Sequence, residues 1–309
     1  MEPDHARRLT SGLPVIVLLG ATATGKTALA LELAARFNAE IINADSRYLY
    51  RGMDIGTAKP SLAERRGIPH HLVDILDPTE TYSLARFLAD AFVAAEDVGG
   101  RAKLPLVTGG TPQYLRAFIE GWRAPEVPPN QPLREALAGE TPAQLLERLA
   151  LVDPASAASI GPNPRRLIRA LEIHSATGQP ASELRGKLPP PYRFLVLGLR
   201  QERSMLHARI AARARLMFVN GLLEEARALL DLDPAFPALS SIGYSEARAV
   251  LLGELSLDEA IERTVFANNR YVRHQETWFR RFADVTWFDS ARPEFPDDVF
   301  AHVRAFLDG

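Results

Sequence analysis

Six stretches of the chain are apolar, rich in β-branched residues and bounded by turn formers, the pattern of strands buried on both faces. They are PVIVLLG (14–20), AEIINAD (39–45), HLVDIL (71–76), LPLVTGG (104–110), FLVLGL (194–199) and VTWFD (285–289). Helical periodicity separates most of them: TALALELAARF follows the first and SLARFLADAFVAAEDV precedes the fourth. Such alternation predicts an α/β fold, a parallel doubly wound sheet with helices on both faces. Between the proline clusters GWRAPEVPPNQP (121–132) and GKLPPPYR (186–193) every segment reads as helical and no strand candidate occurs. Residues 121–192 are therefore expected to form an all-helical domain inserted between the two parts of the core, 1–120 and 193–309. After the return strand, long amphipathic helices are expected at 202–231, 243–252 and 256–282.

Composition narrows the chemistry. The chain has 309 residues, 47% of them hydrophobic, enough to bury a full core. No apolar run approaches the length of a membrane span, and the opening MEPDHARRLTSG lacks the plan of a signal peptide, so a soluble cytoplasmic protein is expected. With no cysteine, disulfides, thiolate catalysis and cysteine-based metal sites are excluded. The adjacent histidines of PHHL (69–72) diverge and lack a third ligand at zinc-binding spacing. The net charge of -2 does not advertise a polyanion partner, yet arginines cluster in RRLIR, ARIAARAR and RYVRHQETWFRR. Each cluster alone reads equally as a solvated helix face; three together suggest a focused anion site. Tyr271 and Trp278 are expected in the core rather than on a base-stacking platform.

GATATGKT (Gly20, Ala21, Thr22, Ala23, Thr24, Gly25, Lys26 and Thr27) matches the phosphate-binding P-loop and stands where it should, between a strand and a helix. Its N–H groups would cradle phosphate oxygens, Lys26 would add a point charge, and the Thr27 hydroxyl could hold Mg²⁺. The expected architecture is thus a P-loop NTPase-like parallel sheet flanked by helices. The strand LPLV runs into Thr108-Gly109-Gly110-Thr111 without an acid, whereas AEIINAD ends on Asp45, at the edge where parallel sheets bind ligands. The alternative for Asp45 is a cap on a helix starting near Ser46, and GGTPQYL could be an ordinary tight turn with its hydroxyl at Thr111.

At this point the chain resembles the tRNA dimethylallyltransferases, also called tRNA isopentenyltransferases, over roughly 13–290. The most specific stretch is ADSRYLYRGMDIGTAKP (44–60), and PHHLVDILDP, GGTPQYL, RRLIRALEI, GLLEEA, IGYSEA and RHQETWFRR follow in the family's order. The sequence differs from the family's usual pattern at Tyr48, Pro112, Gln113, Arg215 and Asn269. The resemblance implies transfer of the dimethylallyl group of dimethylallyl diphosphate to N6 of adenosine 37, beside the anticodon. The P-loop would then cradle a leaving diphosphate, and ATP need not be consumed. Asp45 would be the catalytic base, with Lys26, Mg²⁺ and Arg213 neutralising the diphosphate and Thr111 completing the catalytic set. Periodicity alone does not choose Arg213 over Arg209 or Arg215.

By the same resemblance the tRNA anticodon stem-loop would be contacted by Asp45, Ser46, Arg47, Tyr48, Thr111 and Arg134. To these it adds Arg165, Arg166, Leu167, Ile168 and Arg169, and Ser240, Ser241, Ile242, Gly243, Tyr244 and Ser245. The last group is Arg273, His274, Gln275, Glu276, Thr277, Trp278, Phe279 and Arg280. A monomer is expected. The competing readings are an adenylate isopentenyltransferase acting on free nucleotide, a P-loop small-molecule kinase, and a nucleotide-gated RNA-binding protein without covalent chemistry.

Overall fold

The computed structural model describes residues 9–309; residues 1–8, which include most of the segment read for a signal peptide, lie outside the described residues. In chain order the elements begin with β1 (Pro14–Gly20), α1 (Lys26–Arg36), β2 (Ala39–Asn43), β3 (His70–His71), α2 (Leu84–Gly100), β4 (Leu104–Thr108) and α3 (Pro112–Glu120). There follow β5 (Trp122–Arg123), α4 (Gln131–Leu137), α5 (Pro142–Val152), α6 (Pro154–Ile160), α7 (Pro164–Thr177), α8 (Ala181–Leu184) and β6 (Gly186–Lys187). The chain ends with β7 (Arg193–Arg200), α9 (Arg203–Val219), α10 (Leu222–Arg227), α11 (Tyr244–Leu251), α12 (Leu257–Phe279), β8 (Val285–Asp289) and α13 (Phe295–Asp308). These elements make two compact units, one of residues up to 82 with 89–119 and 191–309, the other of residues 83–88 and 120–190.

The larger unit is a six-stranded sheet in the order β3-β2-β4-β1-β7-β8, parallel throughout. β1 lies between β4, with Ile16 opposite Leu106, and β7, with Ile16 opposite Leu195. Its residues 15–20 are all buried, as a strand covered on both faces requires. Ile16, Leu18, Leu29, Leu33, Leu106, Leu197 and Phe300 share one core cluster. At the sheet's start the buried carboxylate of Glu40 takes both Arg101 guanidinium branches, Lys103 and His71 Nε2, a crossing of β2, β3 and the α2–β4 turn. His71 is thereby a structural partner.

Two expectations for this unit change. The strand expected at 71–76 stops at His71, because Leu72 (φ 60°) and Asp74 (φ 58°) turn left-handed. The turn is held by Lys59, whose buried ammonium bonds Asp74, Asp54 and the Tyr50 carbonyl. The helix expected over 202–231 breaks into α9 and α10 at Gly221, whose φ of 107° suits glycine.

In the smaller unit the prolines mark helix starts. Asn130, Thr141, Asp153 and Asn163 each cap a helix that carries proline in its first two positions, and each side chain accepts the N–H three residues on. Leu137, Leu145, Leu149, Leu167, Ala170 and Ile173 form its core, each fully buried leucine contributing about 2 kcal/mol. This segment is not wholly helical: β5 and β6 pair antiparallel, Trp122 opposite Lys187 and Arg123 opposite Gly186. Each strand is only two residues long, too short to leave an alternating pattern in the sequence.

Candidate active site

At the carboxyl end of β1 the chain curls through the P-loop into α1. Gly20 is required there because a Cβ would lie 2.7 Å from the Leu199 carbonyl oxygen on β7. Ala23 (φ 65°) and Gly25 (φ 95°) turn the loop, and Thr24, buried, donates to the Ala21 carbonyl at 2.8 Å. The ammonium of Lys26 reaches the same carbonyl at 2.7 Å, and Thr27 is exposed in the first turn of α1. Burial pushes the Lys26 ammonium down to about 8, the nearby charge of Asp45 opposing the shift and Arg213 adding to it.

Two arginines of α9, one turn apart, reach the loop from the side: Arg213 donates to the Thr22 hydroxyl at 2.7 Å and Arg209 to the Ala23 carbonyl at 3.2 Å. Arg215, two residues on from Arg213, is exposed. Arg209 carries no family implication in the sequence; its spacing of four from Arg213 on one helix face is the signal that finds it.

Asp45 follows β2. No helix begins at Ser46; instead Asp45 Oδ1 accepts the Arg47 N–H at 2.9 Å, an Asx turn that fixes the carboxylate. Its Oδ2 accepts the Gly110 N–H at 3.2 Å. Thr111 sits beside it, accepting the Ser46 N–H at 2.9 Å and donating to the Ser46 hydroxyl at 3.2 Å. The GGTPQYL turn is thus a brace for the DSR segment, and Pro112 opens α3. Arg47 donates to the Pro237 carbonyl at 2.6 Å, linking that segment to the approach of SSIGYS. Tyr48 donates to the Ala58 carbonyl at 2.8 Å, and burial raises its phenol well above the ordinary range.

Lys26, Thr27, Asp45, Tyr48, Arg213 and Tyr271 all line one cavity of about 350 Å³. Its walls combine these polar groups with Ala28, Ala30, Ile41, Pro60 and Val73, so it offers charge at the loop and an apolar surface beyond it. His70 also lines it, its Nδ1 against the Ile68 carbonyl and its basicity lowered by burial. Tyr271, expected in the core, instead donates its hydroxyl to the Gly110 carbonyl at the cavity wall.

Several residues expected to touch RNA point inward. Leu167 belongs to the small unit's core and Ile168 packs on it. Gln275 is fully buried, Phe279 and Ser241 nearly so, and Tyr244 turns in to donate to Glu225. Gly243 is buried and its N–H goes to Glu246. Arg134 and Arg169 are held by the buried Glu172. Arg165, Arg166, Ser240, Ser245, Arg273, His274, Thr277 and Arg280 are exposed. Ile242 and Trp278 are partly buried, and Glu276 pairs with Arg203 at 3.1 Å. Among the described residues no three His, Cys, Asp or Glu side chains are grouped to hold a metal, and no helix is long and apolar enough to cross a membrane.

A P-loop whose cavity also holds a strand-end aspartate fits a small set of chemistries, and comparison decides among families. The family model described as IPP transferase matches residues 48–282. The chain belongs to this family. Among IPP transferases it is 52% identical, over 301 residues and 95% of its length, to a tRNA dimethylallyltransferase of Thermomicrobium roseum, covering 92% of that protein. It is 45% identical to the tRNA dimethylallyltransferase of a Roseiflexus species, covering 96% of this chain and 99% of that one. Of solved structures, the tRNA isopentenylpyrophosphate transferase of Bacillus halodurans superposes with a TM-score of 0.72 at 36% identity, 97% of each chain being covered. A eukaryotic dimethylallyltransferase acting on tRNA superposes with a TM-score of 0.81 at 28% identity, covering 96% of this chain and 80% of that one.

Proposed function

We propose that this protein is a tRNA dimethylallyltransferase, moving the five-carbon group of dimethylallyl diphosphate to N6 of an adenosine, adenosine 37, in the anticodon loop. The observation that carries the chemical assignment is the shared cavity, lined by Asp45 together with Lys26, Thr27 and Arg213. In the reaction the adenine N6 lone pair forms a bond to C1 of the allyl group as the C1–O bond breaks. The bonding electrons leave with the diphosphate, and the N6 proton passes to Asp45. Adenine N6 is a weak nucleophile because its lone pair is delocalised into the ring, so a positioned base contributes roughly 10²- to 10⁴-fold. Lys26 and Arg213, both at the P-loop, would stand where the departing charge develops and lower the barrier without reorganisation.

The loop also fits a magnesium ion. Thr27 lines the cavity with its hydroxyl beside the Tyr48 phenol, and Mg²⁺ keeps several waters and takes phosphate oxygens rather than needing a protein cage. Bound there with the diphosphate, it would neutralise negative charge on the leaving group. Arg165 and Arg166 of the helical unit and Arg273 and Arg280 of α12 are exposed cations suited to tRNA phosphates. The acceptor base must leave its stack to reach the cavity. We expect the protein to act as a monomer in the cytoplasm.

The test is mass spectrometry of tRNA after incubation with the protein, Mg²⁺ and dimethylallyl diphosphate. A mass gain on one anticodon-loop adenosine supports the reading. A gain on free AMP instead would make it an adenylate isopentenyltransferase, and phosphate transfer from ATP would make it a kinase.

A further inference from the structure

Gln275 is fully buried, yet both ends of its amide are used. Its Oε1 accepts the N–H of Thr22 in the P-loop at 2.9 Å, and its Nε2 donates to the carbonyl of Gly110 at 2.6 Å. The orientation is unambiguous: turning the amide over would set N–H against N–H and oxygen against oxygen. Beyond Gly110 the chain of bonds continues, because the Gly110 N–H donates to Asp45 Oδ2 at 3.2 Å. The Gly110 carbonyl accepts a second donor, the Tyr271 hydroxyl at 2.9 Å, one turn earlier on α12. Thus the peptide groups around Gly110 are pinned on one side by α12 and on the other by Asp45. A Cβ at 110 would lie 2.6 Å from Asp45 Oδ2 and 3.1 Å from Gln275 Nε2, so the three groups are packed at contact distance.

We propose that Gln275 is a positioning residue that ties the diphosphate loop to the base: through Gly110 it sets the orientation of the Asp45 carboxylate relative to the P-loop at Thr22. This rests on the prenyl-transfer reading. It replaces an RNA contact at this position with a strut inside the active site. Leaving-group cradle and base belong to different strand ends, β1 and β2, and reaction requires the two held at one spacing around the allyl carbon. The strut needs an acceptor at one end and a donor at the other, which the glutamine amide supplies at every pH. Glu in its charged form keeps the acceptor but sets an oxygen against the Gly110 carbonyl; protonated, it restores the donor.

The experiment compares wild type, Q275L and Q275E in steady-state transfer from dimethylallyl diphosphate to tRNA, with thermal unfolding of each. Q275L should lose kcat by roughly 10- to 100-fold, the scale of a small misplacement of reacting groups, with KM for tRNA nearly unchanged. The ratio of Q275E to wild-type kcat should rise as pH falls and the new carboxyl takes up its proton. A raised KM for tRNA at unchanged kcat in Q275L would overturn the proposal in favour of an RNA contact. A pH-independent Q275E ratio would overturn it in favour of simple space filling, and it serves even if Q275L folds poorly. An active wild type with an equally active Q275L sinks this inference alone, whereas a wild type that prenylates no tRNA sinks the activity and this inference together.

Discussion

Asp45 and Gly110 are so close that no side chain fits at 110: the Gly110 N–H bonds Asp45 Oδ2 at 3.2 Å, and a Cβ there would lie 2.6 Å from that oxygen. Gly110→Ala must therefore displace the carboxylate while leaving its charge in place. We expect a loss in kcat of about 10²-fold, the cost of a misplaced catalytic group. Asp45→Asn removes the proton acceptor and should abolish turnover while tRNA affinity survives, measured by filter binding beside single-turnover transfer. Near-normal turnover in D45N would end the assignment of Asp45 as base.

Lys26 should make diphosphate binding depend on pH. In the folded protein its ammonium titrates near 8, below the ordinary 10.5, because burial penalises the charge. Between those values the unfolded chain holds a proton that the fold has released, so this group's contribution to stability rises with pH across the window. A bound diphosphate favours the ammonium, so its binding near pH 8–9 should take up a proton and weaken as pH rises. Calorimetry with inorganic pyrophosphate in buffers of different ionisation enthalpy measures that proton directly. Lys26→Ala should abolish the uptake; uptake persisting in K26A would place the proton on another group.

Glu225 closes the far side of the RGMDIGTAKP segment. Its carboxylate accepts the N–H groups of Asp54, Ile55 and Gly56 at 2.9, 2.9 and 3.2 Å, and the Tyr244 hydroxyl as well. Glu225→Ala leaves those donors to a partly wet environment and should cost about 2 kcal/mol in urea unfolding. Glu225→Gln, which loses the charge and exchanges one acceptor for a donor, should fall between it and wild type. If E225A unfolds like wild type, the carboxylate does not hold the loop.

How much of this was legible in the sequence follows from how local each interaction is. β1, the P-loop and α1 are contiguous, and their pattern reads directly as strand, turn and helix. The β5–β6 ribbon was invisible because each strand has two residues, and the shortening of the 71–76 strand depends on Lys59 bonding Asp74 from fifteen residues away. Asp45 could be placed at a strand end, but its partners at Gly110 lie 65 residues on. Gln275 was named in the sequence only as an RNA contact, and its bridging role was out of reach: its bonds join positions 253 and 165 residues apart, and nothing in RHQETW separates a buried strut from a polar surface residue. Among the arginines of α9 the helical spacing pairs Arg209 with Arg213, and only the fold shows that both face the loop.

The cationic residues of the helical unit divide into two kinds, and the division is testable. Arg165 and Arg166 are exposed, whereas Arg134 grips the buried Glu172 at 2.6 Å and Arg169 at 3.1 Å, with the Asn130 N–H completing the set. Burial alone would raise the Glu172 carboxyl, but Arg134, the Asn130 N–H and Arg169 together hold it below its ordinary value of 4.5. Its stabilisation is therefore complete above about 4.5 and lost as pH falls through the lower folded value. Arg134→Ala should cost the protein about 1–3 kcal/mol, less than a lone buried pair would because Arg169 remains. Its salt dependence of tRNA binding should stay close to wild type. Arg166→Ala, and Arg273→Ala on α12, should leave stability within about 0.5 kcal/mol. Each should reduce the slope of log affinity against log salt by roughly 0.7–0.9, one phosphate contact apiece. Filter binding across a salt series with parallel unfolding curves separates the two kinds, and R134A flattening the slope at unchanged stability would move Arg134 to the RNA-binding surface.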